Sequence, residues 1–403
     1  MSDWARDIRI RLKFLAHIEM GQSPPSASYS PSPDDGIPFL QGTADFGREY
    51  PQPRVFCGAP AKTAAAGDIL FSVRAPVGEL NIANQALGIG RGLCSVRPGF
   101  RLDTRFAWWA LHEARTQLNY VASGSTYEAV SAEDVADLRL PEQPFHVQQA
   151  IARFLDREVA RLDGLVKAKK RMIDLLAEKR RTLITAAVTR GLNLEVPFRD
   201  SDIPWLGRIP KHWKTRRLAF LFRERHERGE PDLPLLEVSI NAGVVLREFS
   251  EDRIETTAAD FNTYKVARTD DVVFNKMRMW QGAVGVAPQD GLVSPDYTVA
   301  ASRGDLSSSY AGLLFRTEIF SAECARHSHG IVWDRLRLYW DGFKDILVPV
   351  PPQDEQEAIV TDIELEITKL DALYVATERT VSLLRERRVA LIAAAVTGEL
   401  EVD

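Results

Sequence analysis

Apolar residues recur by alternate steps of four and three along two long stretches of the chain. In the first they fall at Leu155, Val159, Leu162, Val166, Ile173, Leu176 and Leu183, with Lys169 and Arg180 in the same register. In the second they fall at Ile363, Ile367, Leu370, Tyr374, Val381, Leu384 and Leu391, with Thr377 and Arg388 at the matching places. That spacing is a coiled-coil seam interrupted twice by polar side chains. Between Val147 and Thr189 there is no proline and one glycine, Gly164. Prolines (Pro141, Pro144, Pro349, Pro351, Pro352) stand just ahead of both stretches, where they cost a helix least. The pattern predicts two helices of about 43 residues, each about 65 Å long.

The two stretches are copies. Setting Gln148 against Gln356 without a gap matches about 20 of 45 residues, ending in Ala186-Ala187-Val188-Thr189 and Ala394-Ala395-Val396-Thr397. Chance would give only a few matches. Upstream, Asp137–Pro141 faces Asp345–Pro349, and Gly67–Ser72 more weakly resembles Asp270–Asn275. The chain therefore divides into a mixed domain (1–145), a long helix (146–195), a second mixed domain (196–350) and a second long helix (351–403). A lone helix with an apolar stripe would expose it to water. The other copy can cover it within the chain; an intermolecular pair or a helical bundle would do the same. Residues 146–195 carry 11 basic and 6 acidic side chains and residues 351–403 carry 5 and 12, a complementarity that favours pairing between copies. The expected fold class is α+β: two mixed α/β domains joined by two long helices that form an antiparallel coiled coil, with a pseudo-two-fold internal repeat.

Within the mixed domains, Gly67–Val73 and Asp271–Phe274 read as strands, and Phe106–Leu118 and Leu313–Cys324 as helices. Pro24–Pro33 reads as a mobile loop and Asp200–Trp213 as an ordered linker.

Composition adds limits. With 45% hydrophobic and 27% charged residues the chain is of ordinary globular type, and no apolar run approaches the roughly 20 residues of a membrane span. Cys57, Cys94 and Cys324 are scattered and odd in number, which argues against a disulfide scaffold. A cytoplasmic protein without membrane partners is expected. The net charge of −5 is unusual for a nucleic-acid binder, and the mixed domains are nearly neutral, 14 basic against 16 acidic residues in 1–145 and 21 against 22 in 196–350.

Candidate chemistry lies in loops that mix basic, amide and aromatic groups. These are Ser72 and Arg74 with Ser125, Thr126 and Tyr127 in the first domain, and Asn275, Lys276, Arg278, Trp280 and Gln281 in the second. Arg and Lys can pair with guanine, and Asn or Gln with adenine, in the major groove. For any one of these residues a solvated surface is the simpler reading; as equivalent loops on repeated domains they gain meaning. Catalytic patterns are missing. Ser23-Pro24-Pro25-Ser26 lacks the aromatic of an adenine-methyltransferase loop, and His327 and His329 have no further metal-ligand residues nearby. Gly88-Ile89-Gly90-Arg91-Gly92 has no phosphate-loop Lys-Ser/Thr and reads as a turn. No catalytic residue and no metal ligand is assigned.

Several segments resemble the specificity subunits of Type I restriction–modification systems, across nearly the whole chain. They are Val348–Ile359 leading into the second helix, the Leu-Leu-x-Glu-Lys/Arg-Arg…Ala-Ala-Val-Thr ends of both helices, Ile203–Trp213, and Gly67–Arg74. The first copy departs at Val147, where Glu355 stands in the second, and lacks the Trp-containing lead-in. The resemblance implies two target-recognition domains, each reading half of a bipartite site in double-stranded DNA. It implies that the helices set the gap and dock two methylation subunits, with restriction subunits able to join. S-adenosylmethionine and ATP would then sit on those partners, and no cofactor on this chain. Membership of a methylation-only or related Type II-like system fits the same residues; a coiled-coil adaptor that does not bind DNA is the alternative of another class.

Overall fold

Two helices, Phe145–Arg190 and Gln353–Thr397, run through the fold as the seam spacing predicts. The computed structural model describes residues 8–115, 117–118, 129–247, 261–330 and 336–402. The chain forms two compact units, Met1–Lys170 with Glu378–Asp403, and Arg171–Thr377, so each unit takes part of both helices. In the first unit Leu155 and Val159 share a core with Ile392, Ala395 and Val396. In the second, Ala187 and Val188 share one with Ile359 and Ile363. Rising numbers on one helix meet falling numbers on the other, as in an antiparallel coiled coil.

The seam's basic interruptions find partners. Arg388 lies 3.3 Å from Asp163 in the first unit, and Arg180 lies 2.9 Å from Asp371 in the second. These are the same two repeat positions with their roles exchanged.

In the first unit an antiparallel four-stranded sheet has the order Ala16–Met20, Leu93–Pro98, Ile69–Ser72, Leu80–Ile82. The second unit repeats it with Phe222–Glu224, Tyr297–Ser302, Val272–Asn275, Val284–Val286. Strands Ile69–Ser72 and Val272–Asn275 are buried throughout. Ile69 and Phe71 face one core while Leu70 faces another, and Val272, Phe274 and Val273 divide likewise. Burial on both faces is why these strands read as unbroken apolar runs without alternation.

Each domain meets its long helix through a buried glutamine. Gln148 Nε2 donates to the carbonyls of Arg101 and Gln143, and its Oε1 accepts from Asp103 N–H at 2.8 Å. Gln356 Nε2 donates to the carbonyls of Asp305 and Pro351, and its Oε1 accepts from Ser307 N–H at 2.8 Å. Asp103 and Ser307 are the N-caps of helices Thr104–Ala114 and Ser308–Phe315, so both copies use one amide to tie a capped helix to a long one.

Two expectations change. The single helix expected over 313–324 is two, Ser308–Phe315 and Glu318–Arg326, because the Thr317 hydroxyl accepts from Phe320 N–H and starts a new helix. Pro24–Pro33 holds two short turns, Ser26–Ser28 and Pro33–Asp35, and a strand, Tyr29–Ser30, at the edge of a five-stranded sheet.

Candidate nucleic-acid interface

Both candidate loops leave the C-terminal end of the doubly buried strand. In the first unit Ser72 is fully buried; its hydroxyl donates to the Pro76 carbonyl at 2.6 Å and accepts from Glu79 N–H at 2.8 Å. Ser72 therefore shapes the loop from inside, while Arg74 stands exposed two residues on. Ser125, Thr126 and Tyr127 lie outside the described residues.

The second loop is built alike. Asn275 is buried and its Oδ1 accepts from Met277 N–H at 2.9 Å; Met279 is buried beneath, and Trp280 Nε1 donates to the Met277 carbonyl at 3.0 Å. Arg278 and Gln281 are exposed and Lys276 is half-buried. Asn275 and Trp280 hold the turn, and the charged residues between them face out.

The fold brings to this loop cations that no sequence motif marks. Leu338 N–H donates to the Lys276 carbonyl at 2.9 Å, which places exposed Arg337 beside the loop. Lys265 is buried, with Nζ donating to the Tyr297 carbonyl at 2.8 Å and 3.7 Å from Glu224. Burial, and then the charges of Lys276 and Arg228, lower its pKa against the pull of Glu224, and the Arg228 backbone bridges that of Lys265. Arg247 and Arg278 likewise both act on the Tyr297 phenol, which burial raises. Other acids of the domain are tied to arginines of their own. Arg225 binds Asp271 at 2.6 Å, and Arg268 binds Glu227, Glu230 and Asp290. A domain that is neutral by count thus carries a basic face. Arg228 and Arg337 were missed at the sequence level because they sit about 50 or more residues from the loop and have no periodicity of their own.

On the helices, Leu155, Val159, Leu162, Ile363, Leu370 and Val381 are buried. Val166, Ile173, Leu176, Leu183, Ile367, Leu384 and Leu391 are half-buried, and Tyr374 is exposed. Outside the seam, Leu165, Met172 and Leu175 on the first helix and Leu365, Leu373, Val375, Leu383 and Val389 on the second are exposed. No helix among the described residues is long and apolar enough to cross a membrane.

Residues 9–174 match the family model described as the Type I restriction modification DNA specificity domain. The MjaX specificity subunit of a type I restriction enzyme of Methanocaldococcus jannaschii is 35% identical over 179 residues, 44% of this chain and 41% of that protein. The MjaIX specificity subunit of the same organism is 20% identical over 357 residues, 84% of this chain and 78% of that one. Among solved structures, a chain from work on complex assembly and conformational transition of the type I R-M system shares the fold. Its TM-score is 0.68 at 17% identity, covering 98% of both chains. Set beside the duplicated sheet and the paired helices, these likenesses assign residues 9–174 to the Type I restriction modification DNA specificity domain, and over most of its length the chain is similar to a type I specificity subunit.

Proposed function

We propose that this chain is the DNA reader of a Type I restriction–modification complex, with residues 1–145 and 196–350 each reading one half of a bipartite duplex site. The observation that carries the reading is the repeated delivery of an outward-facing basic loop from the end of the same sheet strand in two domains. Phosphate contacts position such a domain, and side chains reaching base edges give it sequence preference. At 46 and 45 residues the helices span about 70 Å, two turns of DNA, and so fix the gap between half-sites. Their exposed leucines, valines and methionine are where two methylation subunits dock, and restriction subunits join through them. S-adenosylmethionine and ATP belong to those partners, and the chain itself supplies recognition and no catalytic group. With few unneutralised cations, the isolated chain binds DNA weakly and depends on its partners for further phosphate contacts.

Methylation mapping by long-read sequencing tests this in cells expressing the chain with its neighbouring methylation subunit. Two short half-sites around a fixed gap are expected. Arg278→Ala should relax one half-site and leave the other intact. A stable complex that methylates no split motif would overturn the reading.

A further inference from the structure

The glycine-rich run Gly88–Gly92 reads as a turn by sequence, and the fold uses the turn at its end to present Arg91. Strand Leu93–Pro98 pairs with Ile69–Ser72, with Leu93 opposite Ser72. One step further Val73 N–H donates to the Gly92 carbonyl at 2.9 Å. Arg91 lies in the turn that Leu93 N–H closes on the Gly90 carbonyl at 3.0 Å, at the same end of the strand pair from which Arg74 leaves. Both are exposed, and among the described residues neither meets a carboxylate. Their neighbours do: Arg97 is bound to Asp68, Arg105 to Glu49 and Asp156, and Arg115 to Glu79. Two arginines without a carboxylate partner at one end of a strand pair favour an anion.

A glutamine completes the arrangement. Gln41 is exposed, its Nε2 donates to Ser23 Oγ at 2.7 Å, and the Tyr29 hydroxyl donates to its Oε1 at 3.4 Å. The same Ser23 Oγ accepts from Arg91 N–H at 3.2 Å, so one hydroxyl ties the Gln41 amide to the Arg91 backbone. The flanking glycines make room for this. A Cβ at Gly90 would lie 2.6 Å from Gln41 Oε1, and one at Gly92 would lie 2.6 Å from the Gln41 carbonyl oxygen.

We propose that Arg91 and Gln41 contact base edges, and Arg74 a phosphate, as the DNA-reading edge of the first recognition domain. The inference rests on the DNA-reader function above. A guanidinium reads guanine and a carboxamide reads adenine by paired hydrogen bonds, and here both are held by the fold before DNA arrives.

The test is methylation mapping with the full chain and its methylation subunit, comparing wild type with Gln41→Ala, Arg91→Ala, Arg91→Lys and Arg278→Ala. Gln41→Ala and Arg91→Ala should each relax a position in one half-site, with discrimination there falling about 10- to 100-fold. The gap and the other half-site should stay unchanged. Arg278→Ala should act on the opposite half. Arg91→Lys keeps the charge but loses the planar fork, so it should relax the same position as Arg91→Ala. An unchanged motif in both alanine variants, or relaxation in the half that Arg278 controls, overturns the inference and leaves the DNA reader standing. So does Arg91→Lys with the wild-type motif while Arg91→Ala slows methylation evenly at all sites, since that is a phosphate contact only. Absence of any split motif in the wild type removes the underlying function as well. Melting temperatures equal to wild type are expected, because all these side chains are exposed.

Discussion

The two units solve the same folding problem with one identical device and one different one. Both fasten a capped helix to a long helix through a buried glutamine making the same three hydrogen bonds. One residue earlier they part. In the second unit the Glu355 carboxylate accepts from Trp213 Nε1 at 2.9 Å and bonds His212 Nε2 at 2.8 Å, fastening the chain that leads into the domain. In the first, Val147 packs against the core instead. The carboxylate of the second unit satisfies a buried indole N–H.

The largest effect should come from the shared device. Gln356→Ala leaves three backbone groups without their partner and should cost the second unit about 3 kcal/mol, read by urea unfolding with hydrogen exchange followed in each unit. Gln148→Ala should cost the first unit nearly as much. A gap of several kcal/mol between them would break the equivalence.

The differing device should behave as a coupled pair. Glu355→Val strands the Trp213 N–H and should cost about 2 kcal/mol. Trp213→Phe should then be less damaging in the Glu355→Val background than in the wild type, a coupling that a double-mutant cycle measures. Additive losses would mean that the carboxylate does something other than satisfy the indole.

Acid separates the units in another way. Burial, and then the nearby charges of Arg115, Arg388 and Arg105, push His112 down from 6.5 to about 3. Between those values the unfolded chain binds the proton and the folded chain does not. Stability is therefore lost as pH falls below 6.5, by no more than about 1.4 kcal/mol per pH unit. The second unit has Arg316 at the corresponding helix position, donating to the Asn241 carbonyl, and this group does not titrate in that range. Hydrogen exchange at pH 7 and 5 should show the first unit loosening ahead of the second, and His112→Phe should remove the difference. Equal loosening would assign the acid response to other groups.

The smallest effect is expected at the helix ion pairs, which are half-exposed. Arg388→Ala and Arg180→Ala should each cost about 0.5 kcal/mol, with Arg388 the larger because its pair is more shielded from water. Losses above about 2 kcal/mol in unfolding experiments would mean that the pairs carry the coiled coil rather than tune its register.

Much of this protein was legible from residue order alone. The heptad seam and the repeat at Gln148 and Gln356 gave the long helices, their pairing and the two-fold organisation, because both signals are periodic along the chain. The doubly buried strands were also visible, since the apolar runs Ile69–Phe71 and Val272–Phe274 need no partner to be recognised. The basic faces were not. Whether an arginine is free depends on which carboxylate the fold brings to it. Arg97 and Arg105 are neutralised by residues 29 to 56 positions away, while Arg74 and Arg91, similar in sequence surroundings, are not. The same holds for Arg228, Lys276 and Arg337, which meet only in three dimensions. Local pattern fixes which elements form, because hydrogen-bonding period and side-chain burial are properties of neighbours in the chain. Charge pairing over a surface acts through space, so only the tertiary structure decides which charges remain for a ligand.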